Sequence, residues 1–237
     1  MSHPFPTTSW SLVVASAGHL DPKAKQALAT LCERYWHPLY AFIRRHGYDA
    51  EKARDLTQEF FVRVIEKNYM YEVDPHRGRF RAFLLAALKH FLSNEADREH
   101  AQKRGGGCTV LSLELGAAED SYQLEPGHDL TPEKLFERSW ALRLLETVMG
   151  RLQQEFVKAG KAGQFDCLKP LLTGDGDRIP YSRIAIELGL NESAVKVAVH
   201  RLRRRFRELL REEIAETVAD ADQIDQEIRF LSSVLTN

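Results

Sequence analysis

Residues 181–211, YSRIAIELGLNESAVKVAVHRLRRRFRELLR, restrict the fold more than any other stretch of the chain. They read as two short helices joined at a glycine, the second ending in a dense run of arginine. Ala185 and Gly189 stand four apart: a small residue where two helices touch, then a residue able to turn between them. Val195, Val199, Leu202 and Phe206 follow at spacings of four, three and four, so one stripe of the second helix is buried. Asn191 stands where an N-cap belongs, ahead of Glu192, Ser193 and Ala194. This is the pattern of a helix-turn-helix, whose second helix enters the major groove of DNA.

Taken alone, a net charge of −1 argues against a nucleic-acid binder, but it conceals how the charge is distributed. Between Arg178 and Arg211 there are nine Lys or Arg against three Glu, whereas Gly105 to Glu133 holds six acids and no Lys or Arg. Segregation of this kind makes strong local fields. Counted at about 100° per residue from the buried stripe, the opposite face of the second helix carries Ser193, Val197, His200 and Arg204. Lys196, Arg201 and Arg207 flank it. Early positions of such a helix approach base edges and later arginines lie along the backbone. Ser193, Lys196 and Val197 are therefore candidates to read bases, with His200, Arg201, Arg203 and Arg204 on phosphates. The competing reading of Arg203, Arg204 and Arg205 is a solvated helix end that complements the helix dipole, and for Arg205 and Arg211 it is preferred.

Helical periodicity dominates the rest of the chain, and no run of alternating strands is visible. One helix near residues 22–46 has Leu28, Leu31, Tyr35, Leu39, Phe42 and Ile43 on a stripe and should be interrupted or re-angled at Pro38. A second, about 50–67, is apolar at Ala53, Leu56, Phe60, Phe61 and Val64. A third, roughly 79–103, is apolar at Phe80, Leu84 and Phe91. Trp10 to Gly18 reads as a short first helix capped by Thr8 or Ser9. Thr131-Pro132-Glu133 is a helix start, with Thr as cap, Pro in first position and an acid in the first turn; that helix runs to about residue 158. The expected fold class is all-α: two small helical domains joined by a flexible acidic linker. The boundaries are 1–104 for the first domain, 105–130 for the linker, 131–211 for the helix-turn-helix domain and 212–237 for an acidic amphipathic extension.

Within the second helix, Asp55 and Glu59 lie one turn apart with Gln58 beside them, a like-charge arrangement that costs a few tenths of a kcal/mol on an isolated helix. Arg54 and Arg63 are the local partners if the face is simply solvated. A basic partner surface is the functional reading. The third helix carries Arg77, Arg79, Arg81, Lys89, Arg98, Lys103 and Arg104, with Phe80, Phe83, His90 and Phe91 interleaved. Basic groups of this kind track phosphates and exposed aromatics stack on unpaired bases, although Phe80, Phe83 and Phe91 follow the apolar stripe and are expected in the core.

The segment Leu31 to Arg104 resembles the promoter-melting domain of bacterial sigma factors of the small, two-domain extracytoplasmic-function (ECF) group. DLTQEFF is similar to the family's D-L-x-Q-E-x-F core-binding helix. RYWHPLYAFIRRHGY before it and RFRAFLLAALKHFLSNEADRE after it resemble the neighbouring helices, and the carboxy-terminal unit resembles the domain that reads the −35 promoter element. The resemblance implies a region 2-like bundle followed by a region 4-like helix-turn-helix. It implies core RNA polymerase, through its β′ and β subunits, and promoter DNA as partners. Asp55, Gln58 and Glu59 would face a coiled coil of the β′ subunit. Lys89, His90, Asn94 and Arg98 would lie where the family contacts the −10 element and captures a flipped base; Phe83 and His90 depart from the residues the family often has there. An anti-sigma factor or a regulatory kinase is a further partner class, with Thr57, on the docking helix, as a site where phosphorylation would add negative charge. In relatives the segment equivalent to the acidic linker threads the RNA exit path.

The resulting expectation is a non-enzymatic sigma factor that directs promoter recognition and transcription initiation. The alternative is a stand-alone helix-turn-helix regulator with a helical sensor or dimerisation domain. A metal-dependent phosphotransfer enzyme finds no support, because no Gly-rich phosphate loop or nucleophile–base motif is present. Cys32, Cys108 and Cys167 are far apart and outside any CxxC or Cys/His cluster, so reduced thiols, no metal and no cofactor are expected. The apolar patch Leu12 to Ala15 is too short to span a bilayer, so membrane insertion is not expected and the location should be cytoplasmic. The tail carries Ile224, Ile228, Leu231 and Leu235 at spacings of four, three and four, and this stripe must bury, either on the chain's own helices or over the basic helix-turn-helix.

Overall fold

Three short polar side chains set where helices begin. Asp49 accepts the Lys52 amide on Oδ1 at 2.8 Å, Thr131 accepts the Lys134 amide on Oγ1 at 3.3 Å, and Asn191 accepts the Ala194 amide on Oδ1 at 2.8 Å. Each satisfies an amide that has no partner inside its own helix. The computed structural model describes residues 9–10, 13, 22–66, 79–101, 130–172 and 179–236. Helices α1 (Pro22–Arg45), α2 (Ala50–Glu66), α3 (Phe80–Ala101), α4 (Pro132–Lys158), α5 (Ala162–Leu168), α6 (Tyr181–Leu188), α7 (Glu192–Ala215) and α8 (Asp222–Thr236) follow in order. Ser9, Trp10 and Val13 are helical as well, and among the described residues there is no strand. The all-α expectation holds. The acidic linker up to Asp129, the loop 69–78, Arg77, Lys103, Arg104, Thr8 and Gly18 lie outside the described residues.

Contacts divide the chain into two compact units, residues 1–142 with 214–237, and residues 143–213. In the first, the apolar stripes of α1, α2 and α3 meet in an aromatic core. The ring of Phe80 lies 4.9 Å from Trp10 and 5.0 Å from Tyr35, and Phe91 lies 5.7 Å from Phe60. Phe80, Phe83 and Phe91 are all buried, as their places on the stripe predict. Pro38 does not interrupt α1, which is continuous through it. Proline removes one backbone bond, but the run from His37 to Ile43 is buried on all sides. Burying several large side chains at about 1.5–3 kcal/mol each outweighs the roughly 3 kcal/mol of an internal proline.

The tail is built into this same unit. The Phe80 amide, the first of α3, donates to the Thr217 carbonyl at 2.9 Å, and the Trp10 amide donates to the Glu216 carbonyl at 3.0 Å. The Ser9 amide donates to the Glu216 carboxylate at 2.8 Å. Thr217 thus caps the start of α3, and Glu216 binds the amides of Ser9 and Trp10, all more than a hundred residues earlier in the chain. From α8, Glu227 is 1% exposed and receives Arg81 through Nε at 2.8 Å and Nη2 at 3.0 Å, together with Arg79 Nε at 2.6 Å. The Arg81 guanidinium also lies 3.9 Å over the ring of Phe230 and 5.2 Å over that of Trp140. Trp140 Nε1 donates to Tyr35 Oη at 3.2 Å. Ile224 and Leu231 of the tail stripe are buried here. Arg79 and Arg81, read from the sequence as cations for a phosphate backbone, are instead committed to a buried carboxylate. Isolated charge in a protein interior must find a partner, and Glu227 supplies it.

The second unit is the helix-turn-helix. Gly189 adopts φ 64°, ψ 31°, the left-handed conformation that glycine reaches without a Cβ clash. Leu190 N–H then donates back to Ala185 O at 2.8 Å and Gly189 N–H to Ile186 O at 3.2 Å, closing α6 with paired return bonds. Val195, Val199 and Leu202 are buried, as expected, as are Ile184, Ala185, Phe165 and Leu168 of the same unit, while Phe206 is half-buried.

Candidate functional site

Three surfaces carry the residues singled out by the sequence. On α2, Leu56, Phe60 and Val64 are buried, and Asp55, Gln58 and Glu59 lie on the opposite ridge. The Asp55 side chain is 57% exposed and meets Arg54 only at 3.4 Å. Glu59 accepts Arg63 Nη2 at 2.5 Å, and the same nitrogen reaches Glu95 of α3 at 2.7 Å. Arg98 adds a second contact to Glu95 at 2.9 Å, and the Arg63 guanidinium lies 4.8 Å over Phe91. Burial opposes ionisation of Glu95, but hydrogen bonds from Arg98 and Arg63 outweigh it and hold the carboxyl below the usual carboxylate range. Arg63 thus clasps α2 to α3 and leaves Asp55 as the more open carboxylate of the ridge. Thr57 is fully buried and its hydroxyl donates to Ala53 O at 2.7 Å. The docking-face role expected of it fails for that reason, since a kinase would reach the hydroxyl only after the helix had left the core.

On α3, Lys89, His90 and Arg98 are exposed and Asn94 is half-buried. Spacings of four bring His90, Asn94 and Arg98 onto one row. Lys89 Nζ lies 2.7 Å from Glu133 Oε1 in the first turn of α4. The Lys89 hydrogen bond, followed by the amide at the helix start, lowers the Glu133 pKa. Both partners are nearly half exposed, so such a pair is worth only ~0.2–1 kcal/mol and opens readily. With Phe83 and Phe91 in the core, the described aromatics of this helix are not free to stack on bases.

Along α7 the pairing changes from one half to the other. Ser193, Lys196, Val197, His200 and Arg201 are exposed on the first half, and Val197 retains 48% of its surface. Further on, Arg203 Nη2 donates to Leu171 O at 3.0 Å and Arg204 pairs with Glu208 at 2.9 Å. Arg205 is held by Glu155 through two bonds of 2.9 and 2.7 Å, with Glu208 and Glu212 nearby. It is therefore not a simple solvated helix end. The Arg204 pair is visible in the sequence as an i,i+4 spacing. Glu155, Glu133 and Leu171 lie dozens of residues from the cations they engage, as Glu95 does from Arg63, and no local pattern announces these pairings. Among the described residues no helix is long and apolar enough to cross a membrane.

A family model described as ECF sigma factor matches residues 25–158, more than half of the chain, from the first turn of α1 to the end of α4. The chain belongs to the ECF sigma factor family. It is similar to the ECF RNA polymerase sigma factor SigE of Mycolicibacterium smegmatis (strain ATCC 700084 / mc(2)155). The two are 23% identical over 201 residues, which is 85% of this chain and 68% of that protein. No solved structure matches. As a sigma factor it directs transcription initiation, and membership implies core RNA polymerase and promoter DNA as its partners. The family match ends with α4, so α6 and α7 of the helix-turn-helix and α8 of the tail lie beyond it.

Proposed function

We propose that this sigma factor divides its work among the three surfaces. The α2 ridge of Asp55, Gln58 and Glu59 docks on a basic surface of the β′ subunit, while the β subunit supplies further contacts to the holoenzyme. Lys89, His90, Asn94 and Arg98 of α3 engage the −10 element during strand opening, and Lys89 leaves Glu133 for a phosphate as it does so. Ser193, Lys196 and Val197 of α7 read base edges of the −35 element, with His200, Arg201, Arg203 and Arg204 along the backbone. In this scheme residues 1–104 carry polymerase binding and melting, 105–130 form an acidic tether, and 131–211 carry −35 recognition. Residues 212–237 extend the chain beyond these functions. The protein acts without catalysis of its own and in the cytoplasm, under the control of an anti-sigma factor or kinase whose target is not Thr57.

The observation that carries this reading is the ridge on α2. Two carboxylates and an amide stand outward, directly opposite the buried side, in a helix that falls within the family match. Reversing their charge tests it. A pull-down with core polymerase should retain the native chain and lose the Asp55→Arg/Glu59→Arg variant, with the variant's helical content unchanged because neither side chain is part of the buried core. Equal retention of the two would remove the docking role. A regulator that binds DNA without polymerase would ignore the substitutions altogether.

A further inference from the structure

Val197 is the large apolar side chain that α7 leaves exposed among its described residues; Val195, Val199, Leu202, Leu209, Leu210 and Ile214 are buried. It stands about 180° from the buried stripe, flanked at spacings of four and three by Ser193 and His200, which are also exposed. Lys196 and Arg201 border it and are exposed as well. A β-branched side chain is stiff at χ1, so its two methyls present a fixed apolar surface. In the major groove, thymine alone of the four natural bases offers an apolar group, its C5 methyl, and apolar side chains pack against it. Arg201 and the arginines beyond it would hold the helix to the phosphates while Val197, with Ser193 and Lys196, meets base edges.

We propose that Val197 is a specificity-determining residue that packs on the C5 methyl of one thymine in the −35 element. This rests on the reading of α7 as the helix that enters the groove, and it adds the atom that is read. Replacing that thymine by deoxyuridine removes the methyl and leaves every hydrogen-bonding group in place.

Promoters are first selected from a randomised library with the holoenzyme, and each thymine of the protected −35 region is then replaced singly by deoxyuridine. For the native holoenzyme, one replacement should weaken binding about fourfold, the worth of one buried methyl-sized group. Val197→Ala should bind the thymine promoter about fourfold less tightly and show no further loss with deoxyuridine. Absence of thymine from the selected element, no effect at any position, or equal sensitivity in native and Val197→Ala proteins would each overturn the proposal. Lys196→Ala and Arg201→Ala separate this from the parent reading. If they leave the −35 protection intact, α7 is not the groove helix. If they abolish it while no deoxyuridine matters, the methyl contact alone is wrong.

Discussion

Replacing Glu227 by alanine should unfold the amino-terminal unit at markedly lower denaturant. The carboxylate is 1% exposed and receives charge-assisted bonds from Arg81 at 2.8 and 3.0 Å and from Arg79 at 2.6 Å. Arg79 is 26% exposed and can turn to water, so its loss costs little. The Arg81 side chain is 10% exposed and cannot follow. Removing one partner of a buried pair costs about 3–5 kcal/mol because the other charge is left without compensation. Phe230 and Trp140 keep part of the cation's environment through their ring faces, a contribution of ~0.5–2 kcal/mol. The lower end, about 3 kcal/mol, is therefore expected. The assay has a built-in reporter, because the three tryptophans of the chain, Trp10, Trp36 and Trp140, all fall in the amino-terminal unit. With a urea m value of about 2 kcal/mol/M, the fluorescence midpoint should fall by about 1.5 M. The double substitution Arg81→Met/Glu227→Leu replaces the charges by apolar groups of similar size and should recover most of that loss. A shift under about 0.3 M for Glu227→Ala would show that α8 is not held by this socket, and the reasoning would fail.

Other consequences can be checked separately. Gly189→Ala meets open space but must hold φ 64°, so it should destabilise the helix-turn-helix unit by about 1 kcal/mol through backbone strain, seen as a lower melting temperature. Glu95→Gln should reveal an acid-sensitive clasp. The folded carboxyl lies below its unfolded value, so its contribution is present above about pH 4.3 and lost as pH falls through the folded pKa. The stability gap between native and variant chains should therefore be constant near neutrality and close in acid; a gap that persists unchanged at pH 2 would contradict this. Arg204→Ala should weaken promoter binding alike on all −35 sequences and flatten the salt slope by about one phosphate contact. A loss confined to some sequences would place Arg204 on bases instead.

Much of the local architecture is legible because its causes lie within four residues. Thr131 with Pro132, Asn191 before Glu192, and Gly189 after Leu188 each dictate a helix end through bonds to immediate neighbours, and they stand where the residues imply. Spacings of three and four likewise identify which faces of α2, α3 and α7 are buried. Thr57 was also legible in principle, since Ala53 and Phe61, four residues on either side, are buried; its polar character suggested the wrong face. The fate of the charges was not legible. Arg81 and Glu227 are separated by 146 positions, and nothing near either one shows that they meet. Lys89 with Glu133 and Arg205 with Glu155 are hidden in the same way. By itself, then, the sequence determined most of the helices, though not α5, with their apolar stripes, the turn of the helix-turn-helix and the family motif. Only the tertiary structure decided which cations remain available to a ligand and that the tail completes the amino-terminal unit. Backbone and periodicity effects act along the chain, whereas a buried charge is neutralised by whatever the fold brings beside it.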